Sequence, residues 1–170
     1  MEGLEALRAK LLVLREDEGR KALRRAVRRA AAVLEEEARG RAAALDDPAT
    51  REIIAKNITA KFSSRYEKQT GDFKVRVGVL GGARQYTNNK ENRSKGRVGR
   101  TYQTLGDEGN PGGDTFYWRF LEFGTARAPA QPFLRPAAEA AQDRVFSVFA
   151  EEAERAIDRL IARASRGARR

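Results

Sequence analysis

Apolar residues recur every three or four positions at both ends of the chain and alternate with polar ones only in its middle. Leu4, Leu7, Leu11 and Leu14 stand at helical spacing within Gly3–Leu14, which predicts a short amphipathic helix. The charged run Arg15–Arg20, with Gly19 inside it, reads as a bend. Beyond it Leu23, Val27, Ala30, Leu34, Ala38, Ala42 and Leu45 carry the same period through a longer helix. Asp46-Asp47-Pro48 ends that helix, because proline disfavours helical conformation in the residue before it. Residues 1–47 are therefore an N-terminal helical region, and Thr50–Ile54 adds a further short helical turn.

The period then changes. Ile58, Ala60, Phe62, Ser64 and Tyr66 alternate with Thr59, Lys61, Ser63 and Arg65, the pattern of a half-buried strand. Gln69-Thr70-Gly71-Asp72 supplies turn residues, and Phe73, Val75, Val77 and Val79 form the inner row of a second strand. Residues 56–80 thus predict an antiparallel hairpin whose outer face is basic through Lys61, Arg65, Lys74 and Arg76. From 81 to 113 the pattern dissolves into a glycine- and asparagine-rich flexible loop, with a weak strand signal over Arg97–Leu105. Six Lys or Arg against three acids in residues 82–113 suit ordering on a partner.

Residues 114–136 mark the return of helical spacing. Asp114 is placed to cap a short helix over Thr115–Phe123, with Gly124 just past its end. A strand with Phe116, Trp118 and Phe120 on one face is the competing reading; the aromatic block is expected to close the core over the hairpin. Pro132 and Phe133 open the last helix, over 133–164, along which Leu134, Ala138, Ala141, Val145, Val148, Ala153, Ala156 and Leu160 keep one apolar stripe. Such a helix is about 45 Å long, more than one small core covers, so part of it should meet a neighbouring subunit or project. The whole reads as a single α+β domain, 1–170: a small antiparallel sheet packed against an N-terminal helix and a long C-terminal helix, with a long polar insertion.

Composition narrows the chemistry. The chain of 170 residues carries a net charge of +10 and is 34% charged, so acidic partners are favoured. In the longer N-terminal helix Arg20–Arg29 precede Glu35-Glu36-Glu37, against the preference of the helix dipole; the basic cluster suits a partner, and a merely solvated face is the competing reading. Cysteine and histidine are absent, which removes thiolate metal sites, cysteine nucleophiles, His-ligated zinc and every triad that needs imidazole. Gly78–Gly82 lacks the order and following helix of a dinucleotide loop, and no two carboxylates converge on a pocket. The expectation is a protein that is not an enzyme and has no cofactor or metal. No stretch has the length of a membrane span or the form of a signal peptide, so a soluble protein kept on the cytoplasmic side is expected.

Phe116-Tyr117-Trp118-Arg119-Phe120-Leu121-Glu122-Phe123-Gly124-Thr125, followed by Ala128-Pro129-Ala130-Gln131-Pro132-Phe133-Leu134-Arg135-Pro136-Ala137, resembles the signature of a family of tailed-phage proteins. These are minor tail, neck or tail-completion proteins of lambdoid, long-tailed phages and their prophages. Gly3-Leu4-Glu5-Ala6-Leu7 and the alanine-rich helix after it fit too, whereas Pro48–Ile53 matches only loosely the Pro, then Thr-Gly-x-Leu, start of the family's first strand. The resemblance implies a structural virion component, made in the host cytoplasm, that joins heads to tails. It would act as a homo-oligomeric, hexameric ring at the head-proximal end of the tail, between the tail terminator and the head-closure or connector proteins, with nonspecific contact to packaged DNA and no membrane. Trp118, Phe120, Glu122, Phe123, Gly124, Thr125, Pro132, Phe133, Arg135 and Pro136 become the structural or interface candidates. Among them Glu122 and Arg135 are placed to pair across the connector or with a neighbouring subunit. Gly124 allows positive φ, Thr125 serves freed backbone groups, Phe133 staples the last helix to the aromatic cluster, and Pro136 suits its first turn. A basic nucleic-acid-binding protein of a mobile element is the alternative that the charge leaves open.

Overall fold

The computed structural model describes residues 17–46, 49, 52–80, 84–102 and 110–167; the expected helix over Gly3–Leu14 lies outside them. In chain order the elements are α1 (Asp17–Ala43), α2 (Ile54–Asn57), β1 (Ile58–Phe62), α3 (Ser64–Thr70), β2 (Val75–Val79), β3 (Arg84–Gln85), α4 (Lys90–Ser94), β4 (Thr101–Tyr102), α5 (Trp118–Phe123) and α6 (Leu134–Gly167). An N-terminal helix, a small two-stranded antiparallel sheet and a long C-terminal helix make the fold α+β, as the periodicities predict.

Helix α1 runs through Gly19 without the expected bend. Its first turn holds Asp17 and Glu18 and its last holds Arg41, so its ends do follow the dipole preference and only the middle is basic. The predicted stripe is the inner one: Ala30, Ala38 and Ala42 are buried, and Ala26 and Ala31 join them. Of the short turn expected at Thr50–Ile54, Thr50 and Arg51 lie outside the described residues, and a helical turn is found at Ile54–Asn57.

Strands β1 and β2 form one two-stranded sheet. The Ser63 N–H donates to the Lys74 carbonyl at 2.9 Å, and the Leu80 N–H to the Asn57 carbonyl at 2.6 Å. Equal spacing between these bonds on both strands is an antiparallel ladder without a bulge. The connection is not the tight turn that the alternation suggests. The chain leaves β1 at Phe62, Ser63 accepts a bond from the Tyr66 N–H at 3.4 Å, and a helix follows to Thr70, closed by Gly71 in left-handed conformation at φ 81°. Serine is a strong helix starter, and the polar–apolar alternation over 63–66 is equally compatible with one helical turn.

The stretch 84–102, expected to be a flexible loop with only a weak strand signal over Arg97–Leu105, holds a second small antiparallel sheet, and that signal falls on β4 at Thr101–Tyr102. Arg84 pairs with Tyr102 and Gln85 with Thr101. Helix α4 sits between those strands, started by the Asn89 side chain, which accepts from the Asn92 N–H at 2.7 Å. Asn92 is buried and donates to the Thr87 carbonyl at 2.9 Å. Side-chain bonds to the local backbone do here what apolar periodicity does elsewhere.

The described residues gather into two compact units, 17–34 with 60–76 and 141–167, and 35–59 with 77–140. In the first, three arginines of α1 lie over aromatic rings: Arg20 over Phe73 at 5.1 Å, and Arg24 and Arg28 over Phe62 at 5.7 and 4.9 Å. Buried Ala26, Ala30, Ala31, Ala153 and Ala156 supply its small-residue faces. In the second, Ile54, Ile58, Phe133, Ala38, Ala42 and Ala137 form the core. The last helix buries Ala137 rather than the expected Ala138 and continues to Gly167, beyond the expected end at 164.

Candidate functional site

The stretch 114–136 is a joint built around one carboxylate. Helix α5 begins at Trp118, preceded by Tyr117 in helical conformation and without a side-chain cap; Asp114 does not cap it, contrary to the sequence pattern. The helix, not the competing strand, is the conformation found. It ends at Gly124, whose φ of 74° and ψ of 178° lie in a region open essentially to glycine alone. A Cβ there would stand 2.8 Å from the Ala130 nitrogen and 3.2 Å from the Ala128 carbonyl, so the position excludes other residues twice over.

Glu122, 1% exposed, points from α5 to the first turn of α6. Its carboxylate accepts from the backbone N–H groups of Phe133 at 2.8 Å, Leu134 at 2.9 Å and Arg135 at 3.1 Å. Pro136 has no N–H to satisfy, and the Ala137 N–H makes the helix's first internal bond, to the Phe133 carbonyl at 3.1 Å. Every donor that a helix start leaves without an internal partner is thus either bound by Glu122 or absent. The Arg135 guanidinium returns to Glu122, giving Nε to the carboxylate at 3.3 Å and Nη2 to the backbone carbonyl at 3.1 Å. Burial pushes the Glu122 pKa up, but the bonds from Leu134, Phe133 and Arg135 outweigh it and hold the carboxyl below the usual glutamate range.

The connector is closed by short-range bonds. Thr125 donates its N–H to the Ala128 carbonyl at 2.9 Å, and its hydroxyl accepts from the N–H groups of Arg127 and Ala128 at 3.2 and 3.0 Å. The Gln131 N–H donates to the Leu121 carbonyl at 2.7 Å. Pro132 is exposed, while Phe133 is 1% exposed and belongs to the core. The other phenylalanines do not close that core as a cluster. Phe116, Phe120 and Phe123 are 52, 53 and 66% exposed, and Trp118 is half-buried. Phe116 and Phe120 meet edge to face at 6.3 Å, and the Arg135 guanidinium lies over Phe123 at 5.7 Å. The reason is the helical period: with Glu122 turned inward, residues 116, 120 and 123 fall on the outward face.

A second polar node lies outside the periodic patterns of the sequence. Asn57 is fully buried; its side chain accepts from the Gly112 N–H at 2.6 Å and donates to the Gly113 carbonyl at 2.9 Å and to the Thr115 hydroxyl at 2.8 Å. A Cβ on Gly112 would fall 2.0 Å from the Ile53 carbonyl oxygen. Asp46, expected only as a helix stop, accepts from the N–H groups of Ile54 and Ala55 at 2.7 and 3.1 Å. The Gly112-Gly113 pair was the available signal, since adjacent glycines mark close backbone approach.

The four basic positions of the expected hairpin face are all exposed but sit on different elements. A regular ladder sets Lys61 of β1 opposite Arg76 of β2, while Arg65 belongs to α3. Lys74 precedes β2, with its ammonium 4.8 Å from the centre of the Tyr66 ring. Among the described residues no cluster of acidic side chains could hold a metal ion, and no helix is long and apolar enough to cross a membrane.

Comparison with known proteins places the chain. No curated protein and no solved structure matches it significantly. Residues 5–124, well over half of the chain, match the model of the HK97-gp10-like family, described as "Bacteriophage HK97-gp10, putative tail-component". That match takes in Glu122 and Gly124 and stops short of the Phe133–Pro136 segment that Glu122 binds. The chain therefore belongs to the HK97-gp10-like family of bacteriophage tail components.

Proposed function

We propose that the protein is a tail-completion or neck component, which assembles into a homo-oligomeric ring at the head-proximal end of the tail and joins it to the head. The observation that supports this reading is the outward row of Phe116, Phe120 and Phe123 on a joint whose orientation is fixed by Glu122. Three large exposed rings, Phe120 and Phe123 on α5 and Phe116 just before it, are a surface that gains by being covered, and Arg119 and Arg135 beside them give it the aromatic–arginine composition of protein contacts. Its activity is assembly, with no catalytic residue and no cofactor. The partners are further copies of itself, six in a closed ring, and the tail-terminator and head-closure proteins on either side. The protein resides in the virion.

Phage assembly with Phe120→Ser or Phe123→Ser in place of the natural chain tests this. Electron microscopy of the lysate should show separate full heads and tails, and the purified variants should melt like the parent. A chain that is absent from purified virions, or variants that join heads to tails at the parental level, would refute the reading.

A further inference from the structure

Helices α1 and α6 line a cleft of about 370 Å³ within the unit formed by residues 17–34, 60–76 and 141–167. Lys21, Arg25 and Arg29, at successive four-residue steps, make a row about 12 Å long on α1. Arg159 and Arg163 form a second row on α6. Only Glu18 and Glu152 oppose them among the described lining residues; Glu18 feels the charges of Arg25 and Arg163, but two carboxylates face five cations. Glu18 is taken by Lys21 at 2.7 Å, and Glu152 faces Arg155 at 3.6 Å. Among the described residues, no carboxylate lies within ion-pair distance of Arg25, Arg29, Arg159 or Arg163. Like charges at four-residue spacing repel one another, so these two helices carry an electrostatic cost that the two lining carboxylates relieve only in part.

We propose that this cleft is a binding site for a nucleic-acid phosphodiester backbone, independent of the ring reading and of the basic positions on the sheet. Guanidinium groups present paired donors that match phosphate oxygens, and two rows of them can hold a strand from both sides. The floor is made of Ala22, Ala26, Ala156 and Leu160. It offers no aromatic ring on which a base could stack and no deep apolar pocket to anchor the side chains of an acidic peptide. The site therefore reads charge and not sequence. The arginines early in α1, which sequence alone left undecided between a partner surface and a solvated face, acquire a partner of stated chemistry.

Fluorescence anisotropy of the full chain with a labelled mixed-sequence duplex, titrated at several salt concentrations, tests the site. With Arg25, Arg29, Arg159 and Arg163 engaged, log affinity should fall against log salt with a slope of about −3 to −4. Arg25→Gln with Arg29→Gln should reduce that slope by about 2, as should Arg159→Gln with Arg163→Gln, each with an unchanged circular dichroism spectrum. Lys61→Gln with Arg76→Gln should leave the slope unchanged. The proposal is overturned by absence of binding at low salt, or by cleft variants that keep the parental slope. It is equally overturned if the sheet variant loses as much, or if an acidic peptide of matched charge competes as well as unlabelled duplex.

Discussion

In the unit of residues 35–59 and 77–140, side-chain acceptors are aimed at backbone donors. Asp46 takes two N–H groups at the start of α2, Asn57 takes the Gly112 N–H, and Glu122 takes three at the start of α6. In the other unit the corresponding carboxylate, Glu67, meets side chains instead: Arg24 through two bonds and Arg20 at 3.5 Å, with arginines stacked over Phe62 and Phe73. The first arrangement is buried and single-purpose. A lost acceptor strands backbone donors that have no other partner. The second is half-buried and redundant, since three guanidiniums share two rings and one carboxylate, and the arginines keep an edge open to water. One unit is pinned at points, and the other is held by a diffuse charged layer.

The largest expected effect falls on the tightest point. Gly112→Ala puts a methyl group into the Ile53 carbonyl and the Asn57 side chain and should cost upward of about 4 kcal/mol. Chemical denaturation, or failure to accumulate as soluble protein, reads it. Glu122→Ala leaves the first turn of α6 without its acceptor and should cost about 3 kcal/mol, with Glu122→Gln somewhat less. The pH dependence separates cap from packing. The folded carboxyl titrates below its unfolded value, so its stabilisation is full above the ordinary glutamate range and is lost as pH falls through the lower, folded value. The gap in urea midpoint between the parent and Glu122→Gln should therefore shrink on acidification; a constant gap would contradict the charged cap.

Gly124→Val comes next, at about 2–3 kcal/mol, because φ is positive and the connector backbone stands in the way. Gly71→Ala offers the contrast: φ is also positive there but the space is open, so about 1 kcal/mol is expected. Equal penalties at the two glycines would mean that backbone conformation alone, and not the closed connector, sets the cost at Gly124. The smallest effect belongs to Glu67→Gln. Arg24's hydrogen bond holds the Glu67 pKa down, so its contribution is present near neutrality and fades as pH falls below the ordinary range. It should be detectable in a thermal melt at low salt and vanish at high salt. Persistence at high salt would erase the contrast between the two units.

Much of the framework was legible because it is local. The stripes of α1 and α6, the helix before Gly124 and its positive φ, and the pairing of Glu122 with Arg135 all follow from spacings within a few turns or across one short connector. The departures from the sequence pattern share a cause. The alternation over 58–66 suited a strand throughout, but Ser63 caps a helix, and a two-residue period cannot be told from one helical turn over so short a run. Residues 84–102 lack apolar periodicity because Asn89 and Asn92 order them through backbone bonds. The aromatic block was expected to face inward as a cluster; the burial of Glu122 turns Phe116, Phe120 and Phe123 outward.

By itself, then, the sequence determined the two long helices, the two paired strands, the helix before Gly124, the α+β class, and the aromatic-to-proline block that resembles phage tail proteins. Those are properties of residue type and of spacing along the chain. Only the tertiary structure decided that Asn57 meets Gly112, that Glu122 supplies the start of α6, and that Arg25 and Arg29 line a cleft with Arg159 and Arg163. These partners lie from about ten to more than a hundred residues apart, and a buried donor or a crowded charge finds its partner in space. No local period encodes that choice.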